Sequence, residues 1–329
     1  MTGGRETAGT ELGLSGSSTL SSMPPVTPAL PPAVRPGDRV GVAALSGPVN
    51  PVRLAAGLAE LGRLGFVPVP ARNLDANAGL FAGEDRERAE ALHELADDPS
   101  LTAIFFARGG HGVLRVLPLL DWERLAANPR AYVGYSDLTP FLLNVVERLG
   151  WVAFHGPMVA AEMARGLGEE ESRSLLAALA GDLRQELPLA RLSGAAREAE
   201  GPLLGGCLSL LAAVAGTPFA TSLADAVLFL EDVHEPLYRV DRMLTQLYLS
   251  GSLNSIRAMV LGASTLPLLD ESAAARLRER TGETPLAFGL AAGHTTPNLT
   301  LPLGALARID ADSSLLVIDP PHGTLRTLR

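Results

Sequence analysis

Between residues 39 and 155 short apolar runs alternate with amphipathic stretches at a regular pitch, and this alternation limits the fold more than any other feature of the chain. "RPGDRVGVAALSG" reads as a turn followed by a buried strand at Val40–Leu45. Leu54, Leu58, Leu61 and Leu64 recur at three- and four-residue spacing and predict a helix over about 51–64. "GFVPVP" follows as a strand and "GEDRERAEALHELADD" as a charged surface helix. "LTAIFFA" and "AYVGY" read as strands, about 140–149 as a helix, and "WVAFHGP" as a further strand. Strands that alternate with helices form βαβ units, whose crossovers leave neighbouring strands parallel. The first half is therefore expected to be an α/β domain built on a mostly parallel, Rossmann-like sheet.

The pattern continues into a helix at about 159–180 and then blurs across "GDLRQELPLARLSGAAREAEG". Single cores stop growing near roughly 250–300 residues, so a chain of 329 residues is expected to form two domains with a cleft between them. The expected division is a disordered leader at 1–34, an N-terminal α/β domain at 35–165, a connection at 166–200 and a smaller C-terminal mixed α/β domain at 201–329. In the last of these, "LLGGCLSLLAAVAG" reads as loop and helix, "AVLFLED", "IRAMVLG" and "PLAFGL" as strands, "LYRVDRMLTQLYLSG" as a helix, and "GALARIDADSSLLVIDP" as an antiparallel hairpin. The leader is rich in Gly, Ser, Thr and Pro and lacks a basic region followed by an apolar one, so it does not read as an export signal. Met23 offers an alternative start.

Composition removes several function classes. A net charge of −9 provides no broad basic surface for a phosphate backbone, so nucleic acid is not an expected partner. No apolar run approaches the roughly 20 residues that span a bilayer, and no membrane partner is expected. All 27 basic residues are arginine. Without lysine there is no Schiff base, no Ser-Lys dyad and no P-loop lysine, and a nucleophile has to be activated by histidine or a carboxylate. The one cysteine, Cys207, forms no intramolecular disulfide framework and points to no oxidising compartment.

In open α/β sheets ligands bind beyond the carboxyl ends of the strands, which directs attention to "ARGGHG", "GYSDLTP" and "LEDVHEP". Ser136 is either an N-cap or an exposed hydroxyl in a strand-to-helix elbow. Thr139 as cap with Pro140 at the first helical position fits better, because proline is favoured there, and it leaves Ser136 in the elbow. Gly109 and Gly110 allow close backbone approach and offer N–H groups to an anion, or simply make a turn; their spacing fits neither G-x-G-x-x-G nor the P-loop. Glu231, Asp232, His234 and Glu235 lack metal-site spacing, and no metal or cofactor is expected. These carboxylates either pair with Arg239 and Arg242 or orient a histidine. His294 occupies a Gly-flanked loop after "PLAFGL", and Cys207 reads as a buried small residue.

Taken in order, "ARGGHGVLRVLPLLD", "VGYSDLT", "FHGPM", "LFLEDVHEPLYRVDRMLTQL" and "GHTTPNLTLPLG" closely resemble the LD-carboxypeptidase family of serine peptidases, which includes the microcin C immunity hydrolases. The resemblance covers about residues 35–329. It implies a Ser–Glu–His triad of Ser136, Glu231 and His294 at the interface of the two domains. The Asp137 N–H and an N–H from Gly109–Gly110 are then expected to form the oxyanion hole, with Arg108 and the Cys207 position contributing to substrate binding. It further implies a cytoplasmic homodimer that releases terminal D-alanine from murein tetrapeptides. The alternatives are hydrolysis of peptidyl-nucleotide antibiotics for self-immunity, or a catalytically silent binding protein. Two positions depart from the family pattern: His111 stands where tyrosine is frequent, and Cys207 where asparagine is frequent. Neither Trp122 nor Trp151 lies in an obvious substrate loop.

Overall fold

The apolar runs of the first half lie side by side. In the computed structural model, which describes residues 27–193, 198–263 and 277–321, strands β1 (Arg39–Ala43), β2 (Val67–Pro70), β3 (Leu101–Phe106), β4 (Ala131–Gly134) and β5 (Ala153–His155) are parallel neighbours in the spatial order 5-4-3-1-2. Helices α1 (Pro51–Arg63), α2 (Asp85–Asp97), α3 (Val113–Val116), α4 (Trp122–Ala126) and α5 (Thr139–Asn144) lie in the connections. Val42, Ile104, Phe105 and Val133 are completely buried. Burial on both faces is why these strands read as continuous apolar runs rather than as alternating ones. Asn50 starts α1 by accepting the N–H groups of Val52 and Arg53 at 3.0 and 3.1 Å, with Pro51 at the first helical position.

Helix α6 (Glu169–Leu179) leads into a second, mixed sheet. Its members are β6 (Gln185–Pro188), β7 (Arg191–Ser193), β8 (Glu198–Cys207), β9 (Val227–Glu231), β10 (Ala258–Gly262), β11 (Leu286–Leu290), β13 (Leu306–Asp310) and β14 (Leu315–Asp319). The order is 6-14-13-8-9-10-11-7. Strands β8 to β11 are parallel, connected in part by α7 (Leu208–Val214) and α8 (Leu237–Leu249), while β7 and the β13–β14–β6 ribbon are antiparallel. The expected terminal hairpin is β13–β14. One strand of the C-terminal half, β12 (Leu301–Leu303), joins the first sheet instead, antiparallel to β5 with Leu301 opposite His155. The buried apolar side chains of both sheets form one continuous cluster.

Four expectations are corrected. The helix expected at 159–180 forms only as α6 from Glu169; the stretch before it holds turns and one 3₁₀ turn at Met163–Arg165, and Glu171 Oε2 accepts the Gly168 N–H at 2.9 Å. "LLGGC" is not a loop but the second half of β8, paired with β9. Thr139 does not cap α5: the chain enters that helix through a 3₁₀ turn at Ser136–Leu138, and Thr139 Oγ1 accepts the Cys207 N–H at 3.0 Å instead. Within the expected leader, residues 27–34 are placed against the fold, since Ala29 donates to the Gly150 carbonyl at 2.7 Å and accepts from the Val152 N–H at 2.9 Å. Residues 1–26 lie outside the described residues. No helix among the described residues is long and apolar enough to cross a membrane.

Candidate active site

Ser136 is separated from the end of β4 by Tyr135 alone, and its backbone is left-handed, at φ 62°. A residue with a Cβ held there costs on the order of 1–3 kcal/mol, so its surroundings have to enforce the conformation. Asp137 supplies one restraint. Its buried Oδ2 accepts from Ser46 Oγ at 2.6 Å and from the Val113 N–H at 2.9 Å, tying the elbow to the loop after β1 and to the start of α3. Ser136 itself is half-buried among buried neighbours. Facing it is Gly109: a Cβ there would lie 3.0 Å from Ser136 Oγ and 3.4 Å from the Asp137 nitrogen. The space in front of the hydroxyl and the following amide therefore stays open only because this residue is glycine.

The carboxylate and the imidazole come from the second sheet. Glu231 ends β9 and is fully buried, and the His294 loop follows β11. Glu231 Oε2 accepts from His294 Nδ1 at 2.7 Å and from the His294 backbone N–H at 3.0 Å. Gly293, at φ 94°, makes this approach possible, since a Cβ at that position would overlap the Glu231 carboxylate. Asn298 Oδ1 accepts the Gly293 N–H at 2.8 Å, and the Asn298 N–H donates to Glu171 Oε1 at 2.9 Å. Glu171 is in turn held by Arg165 at 2.5 Å. The loop carrying His294 is thus fixed from α6 as well as from β9.

Burial works against the charge on Glu231, but His155 and His294 outweigh it and hold the carboxyl at about 2. His155 Nε2 is 4.0 Å from Oε1, beyond hydrogen-bond reach. Burial likewise opposes the His294 imidazolium, and the hydrogen bond and charge of Glu231 overcome it, raising the histidine above its usual range. Tyr135 connects the two halves of the site. It immediately precedes Ser136, its ring lies edge-on to His294 at 4.9 Å, and its hydroxyl donates to Glu162 at 2.6 Å. The residue next to Ser136 in the chain is thus in contact with His294, and no hydrogen bond joins Ser136 to His294.

The other expected site residues fall as follows. Arg108 is exposed, its guanidinium donating to the Gly109 carbonyl at 3.1 Å and the Pro48 carbonyl at 3.0 Å. Gly110, at φ 118°, is exposed beside it. Cys207 is buried at the end of β8, opposite Glu231 in register, with Sγ 3.3 Å from Ser209 Oγ. Burial, reinforced by the charges of Glu231 and Asp232, pushes its thiol up, so it is not a thiolate. Glu235 pairs with Arg239 at 2.9 Å, and Asp232 accepts the Ser209 N–H at 2.8 Å. Sequence reasoning did not single out Tyr135, His155, Glu162, Glu171 or Asn298. His155 and Asn298 lie inside the motifs "FHGPM" and "GHTTPNLTLPLG", whereas Glu171 is one of three consecutive glutamates with nothing to distinguish it.

Residues 40–156 match the LD-carboxypeptidase N-terminal domain and residues 200–309 the LD-carboxypeptidase C-terminal domain. The murein tetrapeptide carboxypeptidase of Pseudomonas aeruginosa is 37% identical over 261 residues, covering 73% of this chain and 83% of its own. A solved muramoyltetrapeptide carboxypeptidase from Oxalobacter formigenes superposes with a TM-score of 0.77 at 30% identity, over 86% of this chain and 99% of its own. The microcin C7 self-immunity protein MccF of Escherichia coli is 26% identical over 86% of this chain and 93% of its own. A structure of MccF in complex with glutamyl sulfamoyl guanosine gives a TM-score of 0.80 at 25% identity, covering 89% of this chain and 98% of that one. The chain belongs to the LD-carboxypeptidase family of peptidases.

Proposed function

We propose that this protein is a serine LD-carboxypeptidase, with Ser136 as nucleophile, His294 as general base and acid, and Glu231 as the group that orients the imidazole. The observation that carries this reading is the Glu231–His294 pair, at 2.7 Å, whose imidazole lies against Tyr135, the residue before the strained Ser136. His294 takes the hydroxyl proton as Ser136 Oγ attacks the carbonyl. The proton then passes to the leaving amine as the peptide bond breaks and an acyl-enzyme forms. Water, deprotonated by the same imidazole, hydrolyses the ester and restores the serine. Glu231 stabilises the imidazolium in both halves. The Asp137 N–H and an N–H of Gly109–Gly110 receive the oxyanion, and a donor of this kind contributes on the order of 10²–10³ in rate.

The substrate we propose is a free murein tetrapeptide, from which terminal D-alanine is released, as the likeness to the Pseudomonas and Oxalobacter carboxypeptidases suggests. Arg108, beside the oxyanion loop, is the proposed partner of the terminal carboxylate. A cytoplasmic homodimer completes the reading, and the single free cysteine fits a reducing compartment. The likeness to MccF supports a second reading, hydrolysis of a peptidyl-nucleotide. Both tryptophans count against it as base-stacking groups: Trp151 is 9% exposed, and Trp122 is stacked on Phe141.

Purified protein is to be incubated with L-Ala-γ-D-Glu-X-D-Ala (X a diamino acid), its terminal L-Ala isomer, its C-terminal amide and a peptidyl-adenylate analogue, with products read by mass spectrometry. Release of D-alanine from the first alone is expected. Cleavage of the adenylate analogue alone favours the second reading, and inertness toward all four leaves the silent binding protein as the alternative. Ser136→Ala should abolish turnover with an unchanged melting temperature, and activity within tenfold of wild type in that variant removes the serine mechanism. Light scattering tests the dimer.

A further inference from the structure

His155 is completely buried at the end of β5, and among the described residues neither of its ring nitrogens has a hydrogen-bond partner. The same is true of one oxygen of the nearest carboxylate. Glu231 Oε2 holds both His294 contacts, whereas Oε1 is buried without a donor, and the group facing it is His155 Nε2 at 4.0 Å. Two aromatic rings confine the imidazole: Tyr135 at 5.3 Å and Phe229, perpendicular to it, at 5.2 Å. Its backbone is paired with β4 on one side and β12 on the other, and β12 belongs to the segment that continues from the His294 loop. A buried donor and a buried acceptor aimed at each other across a gap about 1 Å too long for a hydrogen bond are poorly served by staying apart, because neither has water to turn to.

Resting on the assignment of Glu231 above, the geometry points to His155 as a positioning residue: its Nε2–H donates to Glu231 Oε1 in the working site and fixes the carboxylate about its Cγ–Cδ bond, so that Oε2 stays aimed at His294 Nδ1. A carboxylate held through one oxygen can swing and carry the imidazole with it. Held through both, it keeps the imidazole in the tautomer whose Nε2 is free to accept the serine proton. The arrangement reaches across the molecule, since His155 belongs to the first sheet, together with the Ser136 elbow, and Glu231 to the second. The strand that bears the nucleophile's neighbours thereby sets the orientation of the base. At metal sites, outer partners that orient a ligating side chain change activity about 10–100-fold when removed, and an effect of the same order is expected here.

Two measurements test this. The first needs no substrate: nitrogen-15 histidine spectra of the wild-type protein, with the His155 resonances assigned by their loss in His155→Gln, should show a proton on Nε2. A bare Nε2 overturns the proposal whatever the variants do. The second uses whichever peptide the wild type cleaves. His155→Leu should lower kcat about 10–100-fold with KM within twofold, and His155→Gln, which retains an amide donor, should recover kcat to within about fivefold of wild type. Equal kcat in His155→Leu and wild type, or a loss confined to KM, overturns it. If His155→Leu does not fold, the protonation of Nε2 decides alone. If Ser136→Ala abolishes turnover while both His155 variants behave as wild type, the positioning role fails and the serine mechanism stands.

Discussion

Glu231 and His294 shift each other's titration, and the directions set the pH behaviour. Because Glu231 raises His294 above the usual histidine value near 6.5, the proposed base is neutral only at higher pH, and the acidic limb of kcat/KM should have its midpoint above about 6.5. Glu231→Gln removes that charge: the midpoint should fall and kcat should drop by as much as roughly 10⁴-fold. Stability follows the same pair. Glu231 is depressed from 4.5 to about 2, so its contribution is complete above the unfolded value and is lost as pH falls through the folded one. The difference in denaturant midpoint between wild type and Glu231→Gln should be constant only between about pH 5 and 6.5 and shrink toward pH 2. His294 has the opposite sign: its contribution is present below about 6.5 and lost as pH rises through its raised pKa. At this scale what could be read was position: Ser136, Glu231 and His294 stand in short motifs at or just after apolar strands, and β4, β9 and β11 do end there. The Asp137 carboxylate and Glu171 were not legible. Their partners Ser46 and Asn298 are 91 and 127 residues away, and no local pattern records such a pairing.

The strand-to-helix elbow after β4 is built from tertiary ties rather than from its own capping residues. The Thr139 hydroxyl, which local reasoning assigns to a helix cap, is drawn off by the Cys207 N–H, and a 3₁₀ turn that opens on the strained Ser136 leads into the helix. Asp137→Ala should therefore do more than remove a surface charge. It leaves the Ser46 hydroxyl and the Val113 N–H buried without their acceptor, at about 1–3 kcal/mol for each. Denaturant unfolding should register this loss together with a fall in kcat. Gly109→Ala separates the two effects: the added methyl enters the space before Ser136 Oγ and the Asp137 N–H. Its melting temperature should change little while kcat falls at least tenfold. A melting loss as large as that of Asp137→Ala would mean that the glycine serves packing rather than substrate access. The helix misread over 159–180 has a similar cause. Its apolar residues continue through Gly166-Leu167-Gly168, but the stretch before Gly168 forms only turns, and the helix starts where Glu171 satisfies the Gly168 N–H and also reaches the His294 loop.

Across the whole molecule, the fold class was legible from the βαβ rhythm of residues 39–155, which needs only local periodicity. The second sheet was harder to read. "QELP" and "RLS" are short and poorly alternating, and they become strands only because β14 and β11 offer them edges. The least legible feature is the crossing of β12 into the first sheet, a pairing of "LPL" with "AFH" across some 150 residues of chain. That crossing bears on how the protein unfolds. Strand β12 closes the first sheet against β5, α6 holds Asn298 on the His294 loop, Thr139 holds the end of β8, and the apolar core runs through both sheets without a break. Neither half can lose its structure without exposing apolar surface and unpaired backbone in the other. We therefore expect one cooperative transition despite two sheets. Fluorescence of Trp122 and Trp151, both in the first half, reports one side, and hydrogen exchange of peptides covering β9 and β10 reports the other. The two should share a denaturant midpoint. Separate midpoints would show that the halves unfold as independent units, and that the β5–β12 pairing contributes little to holding them together.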